Sequence, residues 1–324
     1  MKKPNTTVVI PNLDGKRIIS QAIESLLKQT VLLHIIVVDN GSKDDSASFI
    51  HKKYNTVEVI ELPENLGFAG GVNVGIKRAQ DLGFKYIALL NNDAEVETSW
   101  LEELLVSIED NNVGIATCKL FRSDQEHLDS TGDFYTIWGM PFPRGRNQIA
   151  NDKFSKEEEV FSASGGASLY RSALFDDIGL FDEKFFAYFE DVDISFRARL
   201  RGWKVVYNPK AIAYHAVSAT SSKMGSGFSR YHSIKNFSLL YMKCMPGLLF
   251  WKYLPLVLIQ HLRMGLGSIK AGSPLVYIKA TFATIFLIPS TLIKRHKIQS
   301  SRKISPKEID SLLIKSTPPK IPLI

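Results

Sequence analysis

Cysteine is scarce: Cys118 and Cys244 are the two in 324 residues, far apart and in no CxxC pair. That excludes a disulfide framework and thiolate metal sites, and it suits a reducing cytosol. No G-x-G-x-x-G opens a helix and no GK[ST] phosphate loop occurs, so the signatures of a dinucleotide-binding dehydrogenase and of a P-loop kinase are missing. Zinc-finger spacing, homeodomain patterning and RNP-type aromatics are missing too, which argues against a nucleic-acid partner. The N-terminal apolar stretch, Val8-Val9-Ile10, is too short for a signal-peptide core. The longest apolar run, Pro274 to Ile293, is interrupted by Lys279 and Pro289. A lysine near mid-helix costs about 2.5 to 3.5 kcal/mol on insertion scales, which speaks against a clean bilayer span.

What is present has globular proportions, 45% hydrophobic and 23% charged, with no internal repeat. The length allows one large α/β domain with an appendage, or two ordinary domains. The net charge of +7 is lopsided towards the last third, where the apolar runs also lie, and the two together suggest an anionic membrane surface.

In the first part, short β-branched runs at 6–10, 35–38, 57–62 and 85–90 alternate with helical stretches at 15–29, 43–53 and 70–82. This βαβ rhythm predicts a mostly parallel, buried sheet, in which ligands bind beyond the carboxyl ends of the strands. Each strand runs into a polar or glycine-rich loop: Pro11-Asn12, then Asp39-Asn40-Gly41-Ser42, then Glu64 to Gly71, then Asn91-Asn92-Asp93. Singly, each could be a turn or a helix cap. A carboxylate or carboxamide at every strand end, all opening on one edge, is what turns alone do not explain. A further helix is predicted at 98–110 and a strand at 113–118, while 121–159 reads as a long functional loop or lid. Gly165-Gly166 precede another strand and allow a ligand close to the backbone.

The stretch from Phe185 to Trp203 carries the chemistry. Val192, Phe196 and Leu200 would line one helical face, Asp193, Arg197 and Arg201 would form an i,i+4 ladder on another, and Gly202 would stop the helix. Glu190 and Asp191 then form a carboxylate pair at the helix N-terminus, behind aromatic residues that would wall a dry cleft. They could serve as helix caps alone, or one could be a general base beside a sugar site.

Taken in order, Ile36 to Ser42, Asn65 to Gly75, Leu90 to Asp93, Gly165-Gly166-Ala167, Phe181-Asp182-Glu183, Phe189 to Asp193, Gly202-Trp203 and His215 resemble an inverting family-2 glycosyltransferase of the GT-A fold, in the rhamnosyltransferase-like subgroup. The likeness covers roughly residues 5 to 216 and implies a Rossmann-like α/β catalytic domain, set here at 1–220. It also implies that Pro11, Asn12, Asp39, Asn65, Gly71, Asn73 and Asn92 bind a dTDP- or UDP-linked sugar. Asp93 would hold a divalent metal, Mg²⁺ or Mn²⁺, at the diphosphate, with His215 as a second ligand. Asp191 would be the general base with Glu190 as its neighbour, and Gly165, Gly166 and Trp203 would belong to the sugar and acceptor region. Asn91 and Asn92 stand where the family's metal motif usually has acids, which leaves one carboxylate there.

The implied activity is transfer of a sugar, plausibly rhamnose, to a saccharide or lipid-linked acceptor in cell-surface polysaccharide assembly. A sugar nucleotidyltransferase and a non-catalytic binding protein on the same fold are the alternatives, and the first would need a basic glycine-rich loop that Pro11 to Lys16 hardly supplies. Residues 221–324 read as helices. Lys252, Gln260, Arg263 and Lys270 would leave a broad apolar face over 248–262, and Lys294-Arg295-His296-Lys297 would meet anionic headgroups. The expectation is a peripheral position on the cytoplasmic face of the cell membrane. A soluble helical subdomain packed on the catalytic part, or on a second copy of the chain, remains open.

Overall fold

The computed structural model describes residues 4–216 and 227–318, so the expected domain boundary at 220/221 lies outside the described residues. The strands are β1 (Thr6–Asn12), β2 (His34–Asp39), β3 (Glu58–Glu61), β4 (Tyr86–Leu90), β5 (Ala94–Val96), β6 (Val113–Arg122), β7 (Leu128–Ser130), β8 (Asp133–Tyr135), β9 (Pro141–Pro143), β10 (Glu158–Glu159), β11 (Ala167–Arg171) and β12 (Lys204–His215). Helices α1 (Ile19–Leu26), α2 (Ser46–Lys53), α3 (Gly67–Asp81), α4 (Trp100–Ser107), α5 (Ser172–Ile178) and α6 (Glu190–Leu200) flank them. Then follow α7 (Phe228–Cys244), α8 (Gly247–Lys270), α9 (Pro274–Ser300) and α10 (Pro306–Leu312).

The main sheet runs β10-β12-β6-β11-β4-β1-β2-β3, with β5 on β12 and β7 on β6. The half β3-β2-β1-β4 is parallel, as the alternation with helices predicts, and β12 runs parallel to β6. Between these halves β11 is antiparallel to both β4 and β6. Pro209 cannot donate to the ladder, and the β12 register shifts between Asn208 and Ile212, yet the strand continues to His215.

Both faces of the sheet are covered. Val8, Ile10, Val37 and Leu90 pack under Ile19, Ile23, Leu101 and Leu104 on one side, and Val9, Ile36, Val38 and Leu89 under Val72 and Ile76 on the other. The third core lies off the sheet, where Val192, Phe196 and Leu200 of α6 meet Tyr135, Phe161, Ile234, Phe237 and Leu240. Ile194 and Ala198 of the same helix enter the second core. Helix α6 is therefore buried nearly all round, and Gly202 ends it with φ +87°. Its charged residues cannot form a solvated ladder. Asp193 is fully buried on Arg197 Nε at 2.9 Å and Lys243 Nζ at 2.5 Å, while Arg201 turns away to Asp177.

Two expectations change. The stretch 121–159 is no open lid: β7, the β8–β9 hairpin and β10 build it, and Tyr135 and Phe154 are fully buried in it. The basic cluster at 294–297 is half spent internally. Lys294 Nζ is 2.6 Å from Asp182, and Arg295 donates at 2.7 Å to the carbonyls of Met242 and Met245, so His296 and Lys297 are the exposed members.

The broad apolar face is present and outward. Leu248, Trp251, Leu262 and Leu266 of α8 and Leu275, Phe282, Phe286 and Ile293 of α9 are all exposed, Leu248 and Phe286 at 81%. By length and composition α9 could cross a membrane, and 17% of its most apolar stretch is buried. Of the polar residues expected on the other side, Gln260 and Arg263 line a cavity.

Candidate active site

A cavity of about 1060 Å³ opens at the carboxyl edge of the sheet and is closed from the far side by α7, α8 and the β8–β9 hairpin. That is at the upper end of ordinary ligand pockets, room enough for more than one small molecule. Pro11, Asn12, Asn65, Asn92, Asp93, Gly165, Gly166, Glu190, Asp191 and His215 all line it. The four strand-end loops do share one edge.

Carboxamides tie those loops together. Asn92 Nδ2 donates to Asn12 Oδ1 at 2.9 Å, and Asn12 Nδ2 donates to Asp39 Oδ1 at 2.8 Å, which Ser42 Oγ also reaches at 2.6 Å. Asn40 does the same for the third loop, donating to Asn65 Oδ1 at 3.1 Å and the Gly67 carbonyl at 2.9 Å. Asp39 thus stands behind Asn12, outside the cavity lining. Gly71 is also behind it, under Asn40, whose Nδ2 would lie 3.1 Å from an added Cβ.

Two expected site residues are elsewhere. Asn73 is buried with its carboxamide closed on Phe181, donating to the carbonyl at 2.9 Å and accepting from the N–H at 3.0 Å. It is spent on chain packing ahead of the loop that carries the acids. Trp203 lies past the far end of α6, about 16 Å of helix from Asp191, with Nε1 on Asp177 Oδ2 at 2.9 Å.

At the other wall Glu190 and Asp191 begin α6. The loop leading to them, Phe185 to Phe189, has three non-glycine residues at positive φ: Phe186 (66°), Tyr188 (69°) and Phe189 (69°). Each costs on the order of 1–3 kcal/mol and persists only where the surroundings impose it. Gly67, at φ +74°, lets that loop approach α3, since an added Cβ would meet the Phe186 carbonyl oxygen at 2.5 Å.

Asp191 accepts from the Gly165 N–H at 2.9 Å and the Val192 N–H at 2.8 Å. Burial raises its pKa, and those N–H groups oppose the rise. Glu190 is raised well above the carboxylate range, by burial first and then by the Asp191 charge. Among the described residues its buried Oε2 has no hydrogen-bond partner. At Asp191 burial thus works against the N–H groups of Gly165 and of the helix start. Asp133 is likewise pushed well up by burial and by Asp191.

His215 sits between two carboxylates, Nε2 at 3.1 Å from Asp93 Oδ1 and Nδ1 at 3.0 Å from Asp129 Oδ2. Burial opposes its charge, but the bonds to Asp129 and Asp93 outweigh it and lift the pKa to about 9. Among the described residues no three His, Cys, Asp or Glu side chains converge as a closed metal cage. What the chain offers is a carboxylate and an imidazole nitrogen side by side in the cavity, with the other ring nitrogen fixed by Asp129, as outer-shell carboxylates orient ligating histidines. That donor set fits a Mg²⁺ or Mn²⁺ whose remaining ligands are phosphate oxygens and water.

Asp129, Asp133 and Arg146 reach the cavity from the segment read as a lid, and Arg230, Gln260 and Arg263 reach it from α7 and α8. The acids flanking Gly132 at a spacing of four were the visible signal for the first group. For the helical group the pattern marks Gln260 and Arg263 as a polar stripe but does not aim it at the cavity, and Arg230 carries no signal.

The pattern describing Glycosyl transferase family 2 matches residues 7–179, more than half of the chain. Over 227 residues the chain is 25% identical to the O-antigen biosynthesis protein RfbC of Myxococcus xanthus, covering 67% of this chain but 18% of that protein. It is 26% identical over 219 residues to the N-acetylglucosaminyl-diphospho-decaprenol L-rhamnosyltransferase of Mycobacterium tuberculosis, covering 61% of this chain and 71% of that enzyme. The fold is shared with the mannosyltransferase PcManGT from Pyrobaculum calidifontis, solved with GDP-Man and Mn²⁺, at a TM-score of 0.55 and 14% identity over 93% of this chain and 86% of that one.

Proposed function

The chain belongs to glycosyl transferase family 2, and from that premise we propose that it transfers a sugar from a nucleotide-diphosphate donor to a saccharide or lipid-linked acceptor with inversion at the anomeric carbon. The observation that carries this reading is a cavity shared by the tied strand-end loops and the buried acids of α6, which face each other across it. Asn12, Asn65 and Asn92, with Asp39 behind them, hold the nucleotide end. Asp93 and His215 would hold a divalent metal, which when bound neutralises charge on the diphosphate leaving group.

Asp191 takes the acceptor's hydroxyl proton. The hydroxyl oxygen bonds to the anomeric carbon as the bond from that carbon to the diphosphate oxygen breaks, and the nucleoside diphosphate leaves with the electron pair. Of the acids here, Asp191 is the one whose carboxylate accepts two backbone N–H groups, from Gly165 and Val192, which favour its charged form and make it the base in this reading. Rhamnose from a dTDP- or UDP-linked donor is the sugar we favour, on the mycobacterial relative's name.

The lipid-linked form of the acceptor is supported by what borders the far wall. Arg230 and Arg263 face the cavity, and the exposed Leu262 and Leu266 lie on the neighbouring face of α8. A phosphate attached to an apolar chain has charge for the first pair and a surface for the second. We place the protein on the cytoplasmic face of the membrane, with α8 and α9 in the interface.

The test is a panel of dTDP-, UDP- and GDP-sugars assayed for nucleotide release with and without saccharide and polyprenyl-linked acceptors. Acceptor-dependent release from one donor, lost in Asp191→Asn, is expected. Failure to bind or turn over any of them would overturn the reading.

A further inference from the structure

The loop that delivers the acids is held from outside the catalytic layer. Asn236 of α7 is fully buried, and its Nδ2 lies 3.0 Å from the Phe185 carbonyl oxygen, 2.8 Å from that of Ala187 and 2.7 Å from that of Tyr188. One amide nitrogen with two hydrogens thus serves three carbonyls of a turn in which Phe186, Tyr188 and Phe189 have positive φ. Next to it, Lys235 Nζ donates to the Lys184 carbonyl at 2.7 Å. On the opposite side the Ala69 N–H donates to the Phe186 carbonyl at 3.2 Å. Glu190 follows Phe189 directly.

We propose that Asn236 is a positioning residue for the acid pair: its carboxamide gathers the carbonyls of residues 185, 187 and 188 and so fixes the left-handed turns that present Glu190 and Asp191 to the cavity. Three carbonyls aimed at one point repel each other unless a donor stands there, and the left-handed residues of the turn, Phe186, Tyr188 and Phe189, relax once that donor is gone. A hydrocarbon in its place would fill space without supplying the donor. The role of the acids rests on the glycosyltransferase reading; the clamp itself rests on geometry alone.

The experiment compares wild type with Asn236→Ala for kcat, donor KM, the pH profile of kcat and hydrogen exchange of the amides of residues 185–191, far below the melting temperature. The proposal expects kcat to fall about 10- to 100-fold, donor KM to change less than about threefold, and exchange in 185–191 to rise. The acid limb of kcat should also move to lower pH as water reaches the pair, because burial is what raises it. A residue that merely packs would lower the melting temperature and leave kcat of the folded protein and its pH profile unchanged, which overturns the proposal. If Asn236→Ala does not fold, Asn236→Ser, with a smaller side chain and one hydroxyl donor, reads the same quantities. Released exchange with a silent Asp191→Asn would leave the clamp standing and sink the base assignment; unchanged exchange with an active, Asp191-dependent enzyme would do the reverse.

Discussion

The α/β layer and the C-terminal helices meet the burial problem in different ways. In the layer both sheet faces are covered by helices of the same chain, and Val8, Val9, Ile36 and Val37 are fully enclosed. In α8 and α9 the inward face is buried, yet Trp251, Leu262, Leu275, Phe286 and Ile293 remain more than 60% exposed. A monomer in water seldom leaves an apolar surface of that extent uncovered. The difference teaches that the helices have two duties, an inward one on the cavity and the acid loop and an outward one towards something apolar.

The largest effect should come from the wall where the two regions meet. Asp191→Asn keeps the shape and one N–H acceptor but cannot take a proton, so kcat should fall by about 10² to 10⁴ with donor binding and melting temperature changed far less. The lost charge–dipole interaction alone is worth roughly 0.3 to 1 kcal/mol, so a near-silent substitution would refute the base. Glu190→Gln should do less, and a greater loss there would move the base to Glu190.

At the sheet edge, Asp93→Ala should lower kcat by about 10² or more and His215→Ala by about tenfold, with added Mn²⁺ restoring part of the second loss. Chelation should abolish transfer in wild type. Full turnover in chelator would mean that side-chain charge does the work assigned to a metal.

The outward duty can be broken without touching the inward one. Leu262→Glu with Phe286→Glu should weaken sedimentation with anionic vesicles by about tenfold or more, since each large apolar side chain contributes roughly 1.5 to 3 kcal/mol on burial. Turnover of a water-soluble acceptor should not change. A wild-type chain that ignores such vesicles would return the stripe to a protein partner, with a second copy of the chain detected as a dimer in solution. Removing everything after Tyr241 is a poor substitute, because it deletes Lys243 from a buried ion pair with Asp193 and strips the third core.

The smallest effect is on pH dependence. Asp191's pKa is raised by burial from 3.8, and a base acts only when unprotonated, so kcat should fall as pH drops through a value above the ordinary aspartate one. A limb at or below 3.8 would show that the acid is solvated in the working enzyme.

The strand-end loops were legible because a carboxylate or carboxamide recurs at the end of every buried strand, and Asn12, Asn65, Asn92 and Asp93 do meet at one edge. Helix α6 was legible from the spacing of Val192, Phe196 and Leu200. Asn73 was misplaced because a carboxamide that closes on a chain segment 108 residues away looks, in sequence, like one that faces a ligand. Lys294 and Arg295 were misread for the same reason. A basic run after an apolar helix gives no sign that Asp182, 112 residues earlier, waits for one of its members. The β8–β9 hairpin was hidden by Pro141 and Pro143, which argue locally against a strand but are tolerated in a short two-stranded pair outside the main sheet.

The double burial of α6 limits how this protein can be re-engineered. Exchanging the helices after residue 227 for those of another transferase, to change the acceptor, would leave Val192, Phe196 and Leu200 facing a foreign surface and Asp193 without its lysine. A working chimaera has to carry the outward half of α6 and the loop before it along with the new helices, so the seam belongs inside a helix, at Ile194 and Ala198, where the side chains already point the other way.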